Sequence, residues 1–217
     1  MFKLLNNIFK KNLSLLLICS ILIVLSITNN STHEASTKPD FLILVNKDNP
    51  LSENYTPNNL VELTTLQKID FINRLNEPMY INEEVLYYYK LLYNDALSNE
   101  IELTIFSAYR SFEKQQSLWN EGPDINYLAP PGCSEHQTGL ALDISTRNIG
   151  LTNNFTNTKE YLFLINNAYK YGFINRYPKG KEIITGYYFE PWHFRYVGIE
   201  HSKNIYNRNI TLEEYLS

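Results

Sequence analysis

An α+β domain is the fold class the sequence predicts, on three observations. Segments of strand character and segments of helical periodicity follow one another without the regular alternation that a doubly wound parallel sheet needs. No internal repeat recurs along the chain, which argues against a solenoid or a propeller. With 217 residues, 44% of them hydrophobic and rich in Tyr and Phe, the chain can build one substantial core plus accessory segments.

The first segment, residues 1–28, differs from the rest. Lys3, Lys10 and Lys11 precede the uncharged run LSLLLICSILIVLSIT, Leu13 to Thr28. That run is a little short for a spanning helix, which needs about 20 apolar residues, and a little long for the apolar part of a cleaved signal, ~7–15. Both readings stay open. An uncleaved membrane anchor is favoured over a cleaved signal, because no small-x-small cleavage site follows at once and the basic flank favours a cytoplasmic N-terminus. Either way the remaining chain is expected outside the cytoplasm. Cys19 lies inside the run, which continues past it through Val24 and Leu25, so it reads as a small membrane-buried residue and not as a lipid carrier.

Residues 29–40, NNSTHEASTKPD, are small, polar and aperiodic, as a linker is. The folded domain is expected over 41–217. FLILV (Phe41 to Val45) reads as a short strand, and DNPLSENYTPNNLVEL after it as a long surface loop. Asn82 is placed to cap a helix whose apolar face is Val85, Leu86, Tyr89, Leu92, Tyr93 and Ala96. IELTIFSAY (Ile101 to Tyr109) reads as a strand, and a helix opens at Ser111. Pro130-Pro131-Gly132 rules out a helix, so His136 emerges from an irregular segment leading into the strand LALDIS, Leu140 to Ser145. TKEYLFLINNAYKYG reads as a helix ended by Gly172, and EIITGYYFE and WHFRYVG as extended segments.

Composition narrows the function. A formal net charge of −4, without basic clusters, argues against a nucleic-acid partner. Cys133 is the one cysteine beyond residue 28, so no intramolecular disulfide forms there.

The chemistry gathers around two histidines. His33 falls in the linker, and His201 in GIEHSKN has no feature that marks a ligand. His136 is followed seven residues on by Asp143, a carboxylate inside an apolar strand, where an unpaired charge is costly. His193 follows Glu190 in FEPWHFRYVG. Two imidazoles and a carboxylate, with a fourth position for water, make up a catalytic zinc site and give the buried aspartate a dication as partner. Glu190 is the candidate acid/base that takes a proton from the attacking water and passes it to the leaving amine. Pro191 argues against one ordinary helix for Glu190 and His193, and H-E-x-x-H is absent, so a thermolysin-like site is disfavoured. Ser111-Phe-Glu-Lys114 spells the S-x-x-K of serine peptidases, but its companions S-D-N and K-T-G are missing. Arg110, at a strand-to-helix junction, is either a surface salt-bridge former or a fixed cation for a substrate carboxylate or an oxyanion.

Together LVNKDNPL, SAYRSFEKQ, PPGCSEHQTGLALDIS, the stretch from NAYKYG to WHFRYVG, and TLEEYL resemble the zinc D,D- and L,D-carboxypeptidases of the VanY and LdcB type. That family shares its fold with zinc D-Ala-D-Ala dipeptidases and the Hedgehog signalling domain. The resemblance implies a single zinc-peptidase domain with a small, mainly antiparallel sheet flanked by helices. It implies one Zn2+ per chain on His136, Asp143 and His193, and Glu190 as catalytic acid/base. Arg110, Gln115 and Ser134 match substrate-contacting positions, Arg110 also serving catalysis, and Tyr177 is a candidate pocket residue. Cys133 stands where relatives carry a small hydroxyl residue.

The implied function is an exported carboxypeptidase that takes the C-terminal D-alanine from peptidoglycan stem peptides, with D,D activity favoured and L,D activity on tetrapeptides as the alternative. A non-catalytic wall-binding module is the third reading, disfavoured because Glu190 and Asp143 are both present. The expected partners are stem peptides and, through residues 1–28, the membrane; no protein partner is indicated.

Overall fold

A computed structural model describes residues 40–72, 77–122, 124 and 127–217. The anchor reading of residues 1–28, and the linker reading up to residue 39, lie outside the described residues. Among these residues no helix is long and apolar enough to cross a membrane.

In chain order the elements are β1 (Leu60–Glu62), β2 (Tyr80–Asn82), α1 (Glu83–Ser98), β3 (Thr104–Ser107), α2 (Phe112–Asn120) and β4 (Ala141–Ser145). There follow α3 (Lys159–Asn167), β5 (Phe173–Asn175), α4 (Glu182–Thr185), β6 (His193–Tyr196), α5 (Ile199–Arg208) and α6 (Leu212–Leu216). β1 and β2 make a small antiparallel pair, with Val61 opposite Ile81. The main sheet is antiparallel throughout, in the order β3-β4-β6-β5. The α+β class and the small antiparallel sheet flanked by helices are as expected from the sequence.

α1 shows why the helical reading works. The Asn82 side-chain oxygen accepts from the Glu84 and Val85 amides at 2.9 and 3.4 Å, and Glu83 and Glu84 sit in the first turn, where the helix dipole favours negative charge. Its buried residues are the six that the periodicity selects, Val85, Leu86, Tyr89, Leu92, Tyr93 and Ala96. Tyr89 meets Phe173 of β5 edge to face, with ring centroids 6.4 Å apart. All five residues of β4 are buried, because the strand lies inside the sheet between β3 and β6.

Gly172 ends the 3-10 turn Ala168–Tyr171 that extends α3. Its φ is +91°, and a Cβ there would lie 2.4 Å from the Tyr196 ring. Glycine is the residue that permits both the turn and the close approach to β6.

Three expectations are corrected. Phe41 to Val45 is not a strand; the carbonyls of Phe41 and Ile43 accept from the buried Arg195 guanidinium at 3.1 and 2.9 Å. EIIT is not extended but a single helical turn closed by Gly186 at φ +76°. The surface loop after residue 47 contains β1, which pairs with β2.

Candidate active site

Strand register brings the first two site residues together. Asp143 of β4 lies directly opposite His193 of β6, and Ser107 of β3 lies opposite Asp143 on the other side. The third, His136, comes from the 3-10 turn Glu135–Thr138, which leads into β4 past Gly139. Its Nδ1 lies 2.7 Å from the Ala108 carbonyl, just beyond β3. That carbonyl can only accept, so Nδ1 carries the proton and Nε2 presents a lone pair.

His136 Nε2 is 3.3 Å from one Asp143 carboxylate oxygen, and His193 Nδ1 is 3.2 Å from the other. The imidazole rings stand nearly perpendicular, with centroids 4.9 Å apart. One ligand atom from each of the three residues lies within 4.8 Å of the others, and all three residues are buried. His193 Nε2 faces Glu135 Oε2 at 3.4 Å, which leaves Nδ1 for the interior of the site. The donor set fits a zinc ion: two imidazoles whose outer nitrogens are engaged elsewhere and one carboxylate.

The electrostatics point the same way. Burial opposes the charged form of Asp143, yet His136 and His193 hold its carboxyl well below the usual carboxylate range. Burial also works against a charged His193, but its bonds to Asp143 and Glu135 prevail and push it up to about 9. Burial lowers His136, with Asp143 resisting. A cation among these nitrogens would take the place of the proton that Asp143 draws onto His193.

Glu190 precedes β6 and is buried, with one oxygen 3.7 Å from His193 Nδ1. Its backbone is fixed by the bond from its own N–H to the Tyr177 carbonyl, 3.1 Å, and by the Asn175 side-chain amide donating to its carbonyl, 2.9 Å. Burial pushes its carboxyl up to about 8, against the pull of His193 and Arg110. A carboxyl poised near neutrality suits a group that must both take and return a proton.

Arg110 enters the same cavity from the β3–α2 junction. Its guanidinium donates to Gln115 Oε1 at 2.8 Å and to Ser107 Oγ at 3.1 Å, and its amide donates to the His136 carbonyl at 3.1 Å. Burial lowers its pKa while Asp143 and Glu190 raise it, so it is a fixed cation beside two carboxylates. The cavity holds about 270 Å³ and is lined by Arg110, His136, Asp143, Glu190 and His193, with Ser134 and Tyr177 on its wall.

Gln115, expected as a substrate contact, lies behind Arg110. It is buried, it is not among the lining residues, and its amide nitrogen donates to the Ala129 carbonyl at 2.6 Å. Both ends are spent on protein, so Gln115 orients Arg110 from behind. Cys133 is buried, its thiol pKa is raised by that burial, and its carbonyl accepts from the Tyr187 hydroxyl at 3.2 Å. Ser111 caps α2 by accepting from the Lys114 amide at 3.2 Å, while Lys114 Nζ pairs with Glu77, so the S-x-x-K match carries no serine chemistry. His201 hydrogen-bonds the Tyr215 hydroxyl at 2.8 Å, away from the site.

Three buried residues beside the site escape the sequence reading: Glu135, Arg176 and Arg195. Glu135 Oε1 accepts from both arginines at 2.7 Å. The available signal was a charge in an apolar setting, as in Asp143: Arg195 sits within the buried strand His193–Tyr196.

The model of the VanY family, D-alanyl-D-alanine carboxypeptidase, matches residues 78–199. The chain is 42% identical over 189 residues to the putative carboxypeptidase YodJ of Bacillus subtilis, covering 81% of this chain and 67% of that protein. It spans 67, 65 and 57% of the length of three curated relatives it matches. Among solved structures it is similar to the LdcB LD-carboxypeptidase, with TM-score 0.73, 39% identity and coverage of 83% of this chain and 87% of that one. It is also similar to a variant of the vancomycin resistance D,D-pentapeptidase VanY in complex with Zn(II), with TM-score 0.66, 36% identity and coverage of 81 and 98%.

Proposed function

The chain belongs to the VanY family of D-alanyl-D-alanine carboxypeptidases, and from that premise we propose that it is an exported zinc carboxypeptidase that removes the C-terminal D-alanine from peptidoglycan stem peptides. The observation that carries the reading is the convergence of a buried His136-Asp143-His193 set, Glu190 and Arg110 on one cavity. His136 Nε2, an Asp143 carboxylate oxygen and His193 Nδ1 would hold the metal. Zinc held there would supply Lewis acidity, easing deprotonation of the attacking water near neutral pH and polarising the scissile carbonyl.

The chain's own residues do the rest. Arg110, held by Gln115 and Ser107, binds the terminal carboxylate of the peptide and sets the scissile bond beside Glu190. Glu190 takes a proton from the attacking water and delivers it to the departing amine, so that water and peptide become a shortened peptide and free D-alanine. Ser134 and Tyr177 shape the wall that meets the residue before the bond. D,D cleavage is the favoured activity. L,D cleavage of tetrapeptides is the second reading, supported by a TM-score of 0.73 to the LdcB LD-carboxypeptidase against 0.66 to VanY. A non-catalytic binding module is disfavoured, because such a module has no need of Glu190 beside the His-Asp-His set.

Export rests on Lys3, Lys10 and Lys11 ahead of Leu13 to Thr28, with an anchor favoured over a cleaved signal. Protease added to intact cells should degrade the domain; a fully protected domain contradicts export.

Glu190→Gln tests the catalytic reading. Zinc should stay bound while D-alanine release falls by ~10²–10⁴-fold, the range of general acid–base catalysis. A variant as active as the parent overturns the role.

A further inference from the structure

We propose that Glu213, in the last helix of the chain, is a positioning residue for the metal site: through Arg176 it holds Glu135, and Glu135 holds His193 in the tautomer that leaves Nδ1 for the metal. The proposal rests on the metal-site reading above. Glu213 grips Arg176 with both carboxylate oxygens, at 2.8 Å from Nη1 and 2.6 Å from Nη2. Arg176 Nε then donates to Glu135 Oε1 at 2.7 Å, and Arg195 Nη1 donates to the same oxygen at 2.7 Å. Glu135 Oε2 faces His193 Nε2 at 3.4 Å.

A carboxylate can only accept, so Glu135 keeps a proton on Nε2, while a cation bound between Nδ1 and Asp143, 3.2 Å apart, would take the place of the proton those two otherwise share. The two histidines are thus oriented by different means. His136 is set by the backbone carbonyl of Ala108, whereas His193 depends on a chain of charges that reaches the C-terminus.

Stability alone does not account for the arrangement. Both guanidiniums are fully buried, and buried ion pairs are often no more stabilising than apolar residues of similar volume. A defined partner for a metal ligand is a function that apolar residues cannot supply.

The test uses full-length protein and measures zinc affinity by competition with a chromophoric chelator, together with the absorption spectrum of the cobalt(II)-substituted form. Glu135→Gln should weaken zinc binding by ~10–100-fold, the range for outer partners of metal ligands, and shift the cobalt bands. Glu213→Gln, two links further out through Arg176 and slightly exposed, should weaken it by about 3–10-fold, with a smaller shift in the same direction. Lys181→Gln is the control: it breaks the 3.0 Å bridge to Glu214 in the same helix without touching the Glu135 chain, and should leave affinity and spectrum unchanged. Glu213→Gln protein with parental zinc affinity and parental cobalt spectrum, differing only in melting temperature, overturns the proposal. Parent protein that binds neither metal overturns the metal-site reading, and the proposal with it.

Discussion

Asp143 owes its position to register: it is the residue of β4 opposite His193 of β6, and His136 reaches it from the turn ahead. Asp143→Asn keeps the shape and removes the charge that draws both histidines. Zinc affinity should fall by at least the roughly 10–100-fold that loss of an outer partner costs; chelator competition checks it, and unchanged affinity removes Asp143 from the ligand set. Arg110→Ala should lower kcat/KM by about 10²-fold or more, as misplacing the scissile bond does, with metal content unchanged. Gln115→Ala should lower it less, since Gln115 acts through Arg110. Steady-state kinetics on a D-Ala-D-Ala peptide separates the two. His136, Asp143, Glu190 and His193 were legible as candidates, because two histidines with acidic company and a carboxylate in an apolar strand are conspicuous locally; Arg110 at its junction left two readings open, and its place in the site came with the family resemblance. Glu135 was not legible, because its partners Arg176 and Arg195 lie 41 and 60 residues away and only the fold brings them together. Gln115 entered only through the family resemblance, and its place behind Arg110 depends on the Ala129 carbonyl, which no local pattern reveals.

At the scale of elements, α1 is the clearest lever on stability. Leu92 is fully buried, and Leu92→Ala should cost ~2–5 kcal/mol in denaturant unfolding. The same variant should bind zinc with parental affinity, since α1 contributes no ligand. α1 was readable because sixteen residues give its period room to show and Asn82 marks its start. β1 and β2 are three residues each, too short for an alternation to register, and their pairing is not local. Phe41 to Val45 and EIIT have the composition of strands but lack a strand's partner. The first gives its carbonyls to Arg195, and the second closes on Gly186 as one turn. Local propensity yielded in both places to contacts from distant segments.

At the scale of the whole domain, metal and fold should be coupled. Two strands, the turn before β4 and the β3–α2 junction all converge on the site, so a metal bound only by the folded chain should stabilise all of it. At a hundred times its dissociation constant such a ligand contributes about 2.7 kcal/mol, and a chelator should lower the melting temperature accordingly. The most direct measurement is mass spectrometry of pentapeptide and tetrapeptide muropeptides incubated with the purified protein, with and without chelator. The expected result is loss of one C-terminal D-alanine, abolished by the chelator and restored by zinc. Release that persists in chelator, or intact muropeptides in zinc-replete buffer, would contradict it.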